Sequence, residues 1–114
     1  MPLAVVVEDE WSIRMQMADM LSDAGWEVVE FASGEQAVAF LTQGRNVDCL
    51  VTDIRLTGAV TGWDVAQAYR ASNPGLRVVY CSGNPLNPER QVENSQFFSK
   101  PCRLEQILKA ATNS

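Results

Sequence analysis

The chain contains no histidine at all. That absence excludes a Ser-His-Asp triad, a Cys-His nucleophile pair, a histidine-bearing zinc site and a phosphohistidine carried by the chain itself. Lysine is scarce, present only as Lys100 and Lys109, and 9 bases stand against 14 acids for a net charge of −5. Phosphate neutralisation needs clustered bases, so no direct contact with nucleic acid is expected. No apolar run approaches the ~18 residues of a membrane span. The apolar start Leu3–Val7 meets Glu8, Asp9 and Glu10 with no basic segment before it, unlike a secretory leader. Cysteine occurs three times, at Cys49, Cys81 and Cys102, without CxxC spacing. Such an odd count argues against a disulfide framework or thiolate metal site and for a reducing cytoplasm. Cys49 and Cys81 lie inside apolar runs and read as small apolar fillers.

What is present is one domain's worth of chain, 114 residues, enough to bury a core without a disulfide or structural metal. Short β-branched runs alternate with helix-period segments. The strand-like runs are Ala4–Val7, Glu27–Phe31, Cys49–Thr52, Val78–Cys81 and Phe97–Ser99. Helices are expected from Trp11 to Ala24, from Ser33 to about Thr42, from Gly62 to about Ser72 and from Arg103 to about Ala111. A weak one, marked by Pro85 and Pro88, is expected from Asn87 to about Glu93. Ser33 and Gln36 have the spacing of a capping box. The inward positions expected are Met17, Met20, Leu21 and Ala24, then Val65, Ala66 and Tyr69, then Leu104, Ile107 and Leu108. Strands alternating with helices indicate an α/β fold with a parallel sheet. About five such units with right-handed crossovers suggest a doubly wound sheet of order 2-1-3-4-5, with its crevice at the carboxyl ends of the first and third strands.

The polar residues follow those strand ends. Glu8, Asp9 and Glu10 follow the first, Asp53 the third, Ser82 the fourth and Lys100 the fifth. Each acid alone reads as a helix cap, but independent caps have no reason to include a hydroxyl and a lysine. Crowded carboxylates repel unless a cation joins them. Oxygen ligands without His or Cys suit a hard ion, magnesium or manganese. A divalent ion, a lysine, a hydroxyl and a central carboxylate are the parts of a phosphoryl-transfer site, with Asp53 able to serve as nucleophile.

The strings VVEDE, LVTDIRL, VVYCSGNP and FFSKP, in this order and spacing, resemble the signature of response-regulator receiver domains across essentially the whole chain. The resemblance implies the flavodoxin-like (βα)5 fold and the following roles. Asp53 matches the phosphoacceptor. Asp9 and Glu8 match the magnesium-binding acids, and the backbone carbonyl of Arg55 a further ligand. Ser82 and Lys100 match the phosphoryl contacts, and Ser82 and Phe97 the switch residues. Pro101 matches the residue after a cis peptide. The implied partner is a histidine kinase or histidine phosphotransfer protein. The chain would catalyse only its own phosphorylation and dephosphorylation. The expected organisation is a single receiver domain over 1–114 with no output domain, cytoplasmic, either free-standing or cut from a larger regulator or hybrid kinase. The sequence departs from the pattern at Thr57, where proline is common, in the slightly long loop Gly58–Thr61, and at Cys102, where an aromatic often stands. A dehalogenase-like phosphatase needs a second aspartate where Arg55 stands. A pseudo-receiver would have lost an acid or the lysine. A nucleotide-binding relative would carry a Gly-rich loop. Trp11 and Met15, spaced i,i+4 and turned away from the stripe of Met17, Met20 and Leu21, mark an expected partner patch.

Overall fold

The computed structural model describes residues 1–83 and 87–112. Five strands are β1 (Leu3–Val7), β2 (Glu27–Phe31), β3 (Cys49–Thr52), β4 (Arg77–Ser82) and β5 (Ser95–Ser99). Among the described residues, four α-helices are α1 (Trp11–Asp23), α2 (Gly34–Phe40), α3 (Gly62–Ser72) and α4 (Leu104–Thr112). The strands form one parallel sheet in the order β2-β1-β3-β4-β5, as the alternation of runs predicts.

β1 is buried at all five positions, and its pleat divides the core in two. Leu3, Val5 and Val7 point to the face covered by α2 and α3, where Ala37, Trp63, Val65, Ala66 and Tyr69 pack. Ala4 and Val6 point to the face covered by α1 and α4, with Met17, Leu21 and Ile107. Continuous apolar runs suit a strand covered on both sides, whereas alternation would have left one face wet. The Tyr69 hydroxyl donates to the Ala37 carbonyl at 2.6 Å and ties α3 to α2. Of the inward positions expected on α1, Met17 and Leu21 are buried and Met20 partly so. Ala24 is exposed instead, because it is the residue that caps the helix.

The helix termini follow local chemistry. Ser33 Oγ accepts from the Gln36 N–H at the start of α2, which ends at Phe40 and tightens into a 3-10 turn at Leu41–Gln43. At the start of α3, Thr61 and Asp64 form a reciprocal capping box that the sequence reading passes over.

Two further expectations are corrected. Residues 87–94 form turns rather than a helix, and among the described residues no helix joins β4 to β5. The segment offers Val92 as its apolar anchor and is held by polar contacts instead: Arg90 to Asp64 at 2.7 Å, and Arg70 to the Glu93 carbonyl at 2.6 Å. Pro85 lies outside the described residues. The second correction concerns Cys81, which is not a free filler but is disulfide-bonded to Cys102 across a separation of 21 residues. Parallel pairing sets Cys81 opposite Phe98, and the turn after β5 brings Cys102 back to a Cα–Cα distance of 6.2 Å. The inference of a reducing compartment drawn from the cysteine count thereby loses its basis. Cys49 remains free and buried, as expected.

Candidate functional site

Four strand ends converge at one edge of the sheet. Register explains why: Val7, the last residue of β1, pairs with Thr52, the last of β3, so Glu8 and Asp9 emerge beside Asp53. The Asp53 N–H donates to the Val7 carbonyl at 3.0 Å and fixes the two chain exits together. Carboxylate oxygens of Glu8, Asp9 and Asp53 lie within 4.8 Å of one another. Glu8 and Asp53 are buried, while Asp9 is exposed above them.

Lys100, entering from the end of β5, supplies the opposing charge. Its Nζ stands 2.8 Å from Asp53 Oδ2 and 3.0 Å from Glu8 Oε1. The contact to Asp53 is a hydrogen bond. The one to Glu8 Oε1 has ion-pair distance without hydrogen-bond geometry, which leaves that buried oxygen short of a donor. Burial pushes the Glu8 carboxyl above its ordinary range, against the lowering effect of the Glu10 N–H and of Lys100. Burial alone would lower Lys100, but its hydrogen bond to Asp53 and its attraction to Asp53 and Glu8 outweigh that and raise it. The other Asp53 oxygen, Oδ1, accepts from the Ile54 N–H at 2.6 Å.

Ser82 ends β4, buried, and pairs in register with Ser99. The Lys100 N–H donates to the Ser82 carbonyl at 3.0 Å, so the two residues share one backbone junction. The Lys100–Pro101 peptide is cis, as the resemblance implies. Phe97 is half-buried in an aromatic cluster, stacked 6.2 Å from Trp63 and tilted against Tyr80. Arg55 lies exposed in the loop after Asp53. Trp11 is 63% exposed and Met15 39%, so both lie outside the core.

Several supporting residues escape a reading by pattern. Arg14 donates to the Glu8 carbonyl at 2.9 Å and pairs with Glu30, which anchors the loop after β1. Thr57 Oγ1 donates to Asp9 Oδ2 at 3.2 Å, so the residue that departs from the usual proline holds an acid of the cluster. Glu35, on α2, accepts from the Ala59 N–H and holds the long loop before α3. At Gly62 a Cβ would overlap the Asp53 carbonyl oxygen, and only glycine lets α3 start so close beneath the site. Its sequence signal is a glycine at a helix start, which has no address until β3 and α3 are docked.

A family model described as the response regulator receiver domain matches residues 4–112. The chain belongs to that family. It is 29% identical to nodulation protein W of Bradyrhizobium diazoefficiens over 112 residues, which is 95% of this chain and 48% of that protein. The chain thus spans about half the length of that relative. Among solved structures, the response regulator receiver protein of Sinorhizobium medicae superposes with a TM-score of 0.92 at 30% identity, covering 97% of this chain and 91% of that one. The chemotaxis response regulator CheY4 of Vibrio cholerae superposes with a TM-score of 0.78 at 27% identity, covering 96% and 94%. The chain is therefore a receiver domain of two-component signalling.

Proposed function

We propose that this receiver domain accepts a phosphoryl group on Asp53 from a phosphohistidine partner, a histidine kinase or phosphotransfer protein, with a divalent ion held by Glu8, Asp9 and Asp53. The observation that carries the reading is Lys100 bridging two buried carboxylates with a third, exposed one above them. The ion fits the donor set: oxygens without nitrogen or sulfur suit magnesium or manganese, and buried Glu8 Oε1 lacks a hydrogen-bond donor. The Arg55 carbonyl, in the loop after Asp53, is a further candidate ligand. When bound, the ion neutralises charge on the transferring phosphoryl oxygens.

The remaining work belongs to the chain. An Asp53 carboxylate oxygen forms the new P–O bond as the P–N bond to histidine breaks, and the partner's ring nitrogen takes a proton. Oδ1 stays oriented by the Ile54 N–H. Lys100 transfers its hydrogen bond from the carboxylate to a phosphoryl oxygen, and Ser82 donates to another. Drawing Ser82 inward would move the end of β4 beside Phe97, whose half-buried ring then shifts within the pocket formed with Trp63 and Tyr80. Exposed Trp11 and Met15, on α1 directly after the acidic loop, suit partner docking. A pseudo-receiver has no observation in its favour, since the acids and the lysine are present and grouped.

Incubation with acetyl phosphate and magnesium, followed by intact mass, tests the reading. The wild type should gain one phosphoryl group and Asp53→Asn should gain none. Equal labelling of the variant would overturn the assignment.

A further inference from the structure

Each bonded cysteine adjoins a site residue. Cys81 immediately precedes Ser82, and Cys102 follows Lys100 by two positions. The bond therefore closes a covalent ring around the junction where the Lys100 N–H meets the Ser82 carbonyl. A 114-residue domain with apolar clusters on both faces of its sheet does not need a staple to fold. The location of the bond asks for another explanation.

Access supplies one. Cys81 is buried at 2%, but Cys102 is only half-buried. Both line an apolar groove of about 390 Å³ between α1 and the β5–α4 connection, with Ile13, Met17, Pro101 and Leu104. Cys102, the more exposed of the two, is the half a thiol entering this groove would meet. Cys49 is sealed in the core, where burial pushes its thiol up to about 12, and it takes no part.

We propose that Cys81 and Cys102 are a thiol–disulfide modification site, reduced by a dithiol entering this groove, and that reduction releases the ends of β4 and β5 for phosphorylation. This rests on the phosphoacceptor reading of Asp53. A thiolate of the dithiol attacks Cys102 Sγ, the Cys81–Cys102 bond breaks, and Cys81 leaves as a thiolate that takes up a proton. The second thiol of the reductant then displaces Cys102 from the mixed disulfide. The pair gains two electrons and two protons, and the dithiol becomes a disulfide. While the bond is intact, a covalent tie reinforces the hydrogen bond that joins Ser82 to Lys100. Once it is open, only hydrogen bonds hold the two strand ends together, and the end of β4 closes on the phosphoryl group more freely.

The test uses the full chain, oxidised or reduced with dithiothreitol. Iodoacetamide after denaturation should add one group to the oxidised form, at Cys49, and three to the reduced form. Acetyl phosphate with magnesium should label the reduced form faster by about fivefold or more, the lower end of ordinary coupling between sites. Cys102→Ser should label at the reduced rate with or without dithiothreitol, and Cys81→Ala provides the same comparison should that variant fail to fold. Equal or slower labelling of the reduced form overturns the inference and leaves the phosphoacceptor reading intact. Three adducts before reduction also overturn it. Absence of labelling in both forms rejects the phosphoacceptor reading, and the redox site with it.

Discussion

Removing the ammonium group from between Glu8 and Asp53 leaves two buried carboxylates facing each other. Lys100→Met should therefore cost more than the ~1 kcal/mol of an exposed ion pair and less than the roughly 3–5 kcal/mol of a fully buried one, because Lys100 is partly exposed. Urea unfolding in a chelator should show this deficit. Magnesium should narrow it by replacing the lost cation. A deficit unchanged by magnesium would place the ion elsewhere. The folded-state pKa of Lys100 lies above its ordinary 10.5, so its contribution is fully present below that pH and is lost as pH rises through the raised value. At this scale the acids and the lysine are legible in the sequence because each ends an apolar run. Thr57 and Glu35 are not, since they hold partners distant in the chain, and Arg14 is not, since its partner is a backbone carbonyl that the side-chain pattern does not show. The bonding of Cys81 is hidden for another reason: an apolar neighbourhood is what a filler and a buried half-cystine have in common.

The start of α3 sets the floor of the site, and its capping box sets that start. Asp64 is held below its ordinary range first by the Thr61 N–H, then by the Thr61 hydroxyl and by Arg90. A carboxyl lowered in the folded state stabilises at pH values above its unfolded 3.8, and that contribution is lost as pH falls through the folded value. Asp64→Asn should cost roughly 0.5–1 kcal/mol at neutral pH. The difference from wild type should vanish in denaturant titrations taken progressively below pH 3.8. A constant difference across that range would show that the carboxylate charge has no part in it. Element type was readable wherever apolar spacing was strong, as in β1, β3 and α3. It failed between β4 and β5, where a run of polar residues around Pro88 has the length of a helix but no apolar stripe to pack. There the chain is fastened by Arg90 and Arg70 rather than by burial.

Over the whole molecule, two properties are open to measurement without knowledge of the pathway. Opening the Cys81–Cys102 bond frees a loop of 21 residues, and reduction should lower the unfolding free energy by about 3 kcal/mol, measured by urea titration with and without dithiothreitol. No change would mean that the bond does not constrain the unfolded chain. Trp11→Ala with Met15→Ala should leave labelling by acetyl phosphate nearly intact while slowing transfer from a phosphohistidine protein by tenfold or more, on the order of what a central interface residue contributes. Equal slowing with both donors would assign the two residues to the site itself. Strand order was legible because runs buried on both faces admit few parallel arrangements. That order also decides when the site can exist. Its acids leave β1 and β3, in the middle of the sheet, whereas Lys100 leaves β5, the outermost strand and the last in the chain. A small domain folds as a unit. During synthesis the anionic centre therefore waits for its own counter-charge: Glu8, Asp9 and Asp53 meet Lys100 in the one cooperative step that follows the release of β5 from the ribosome.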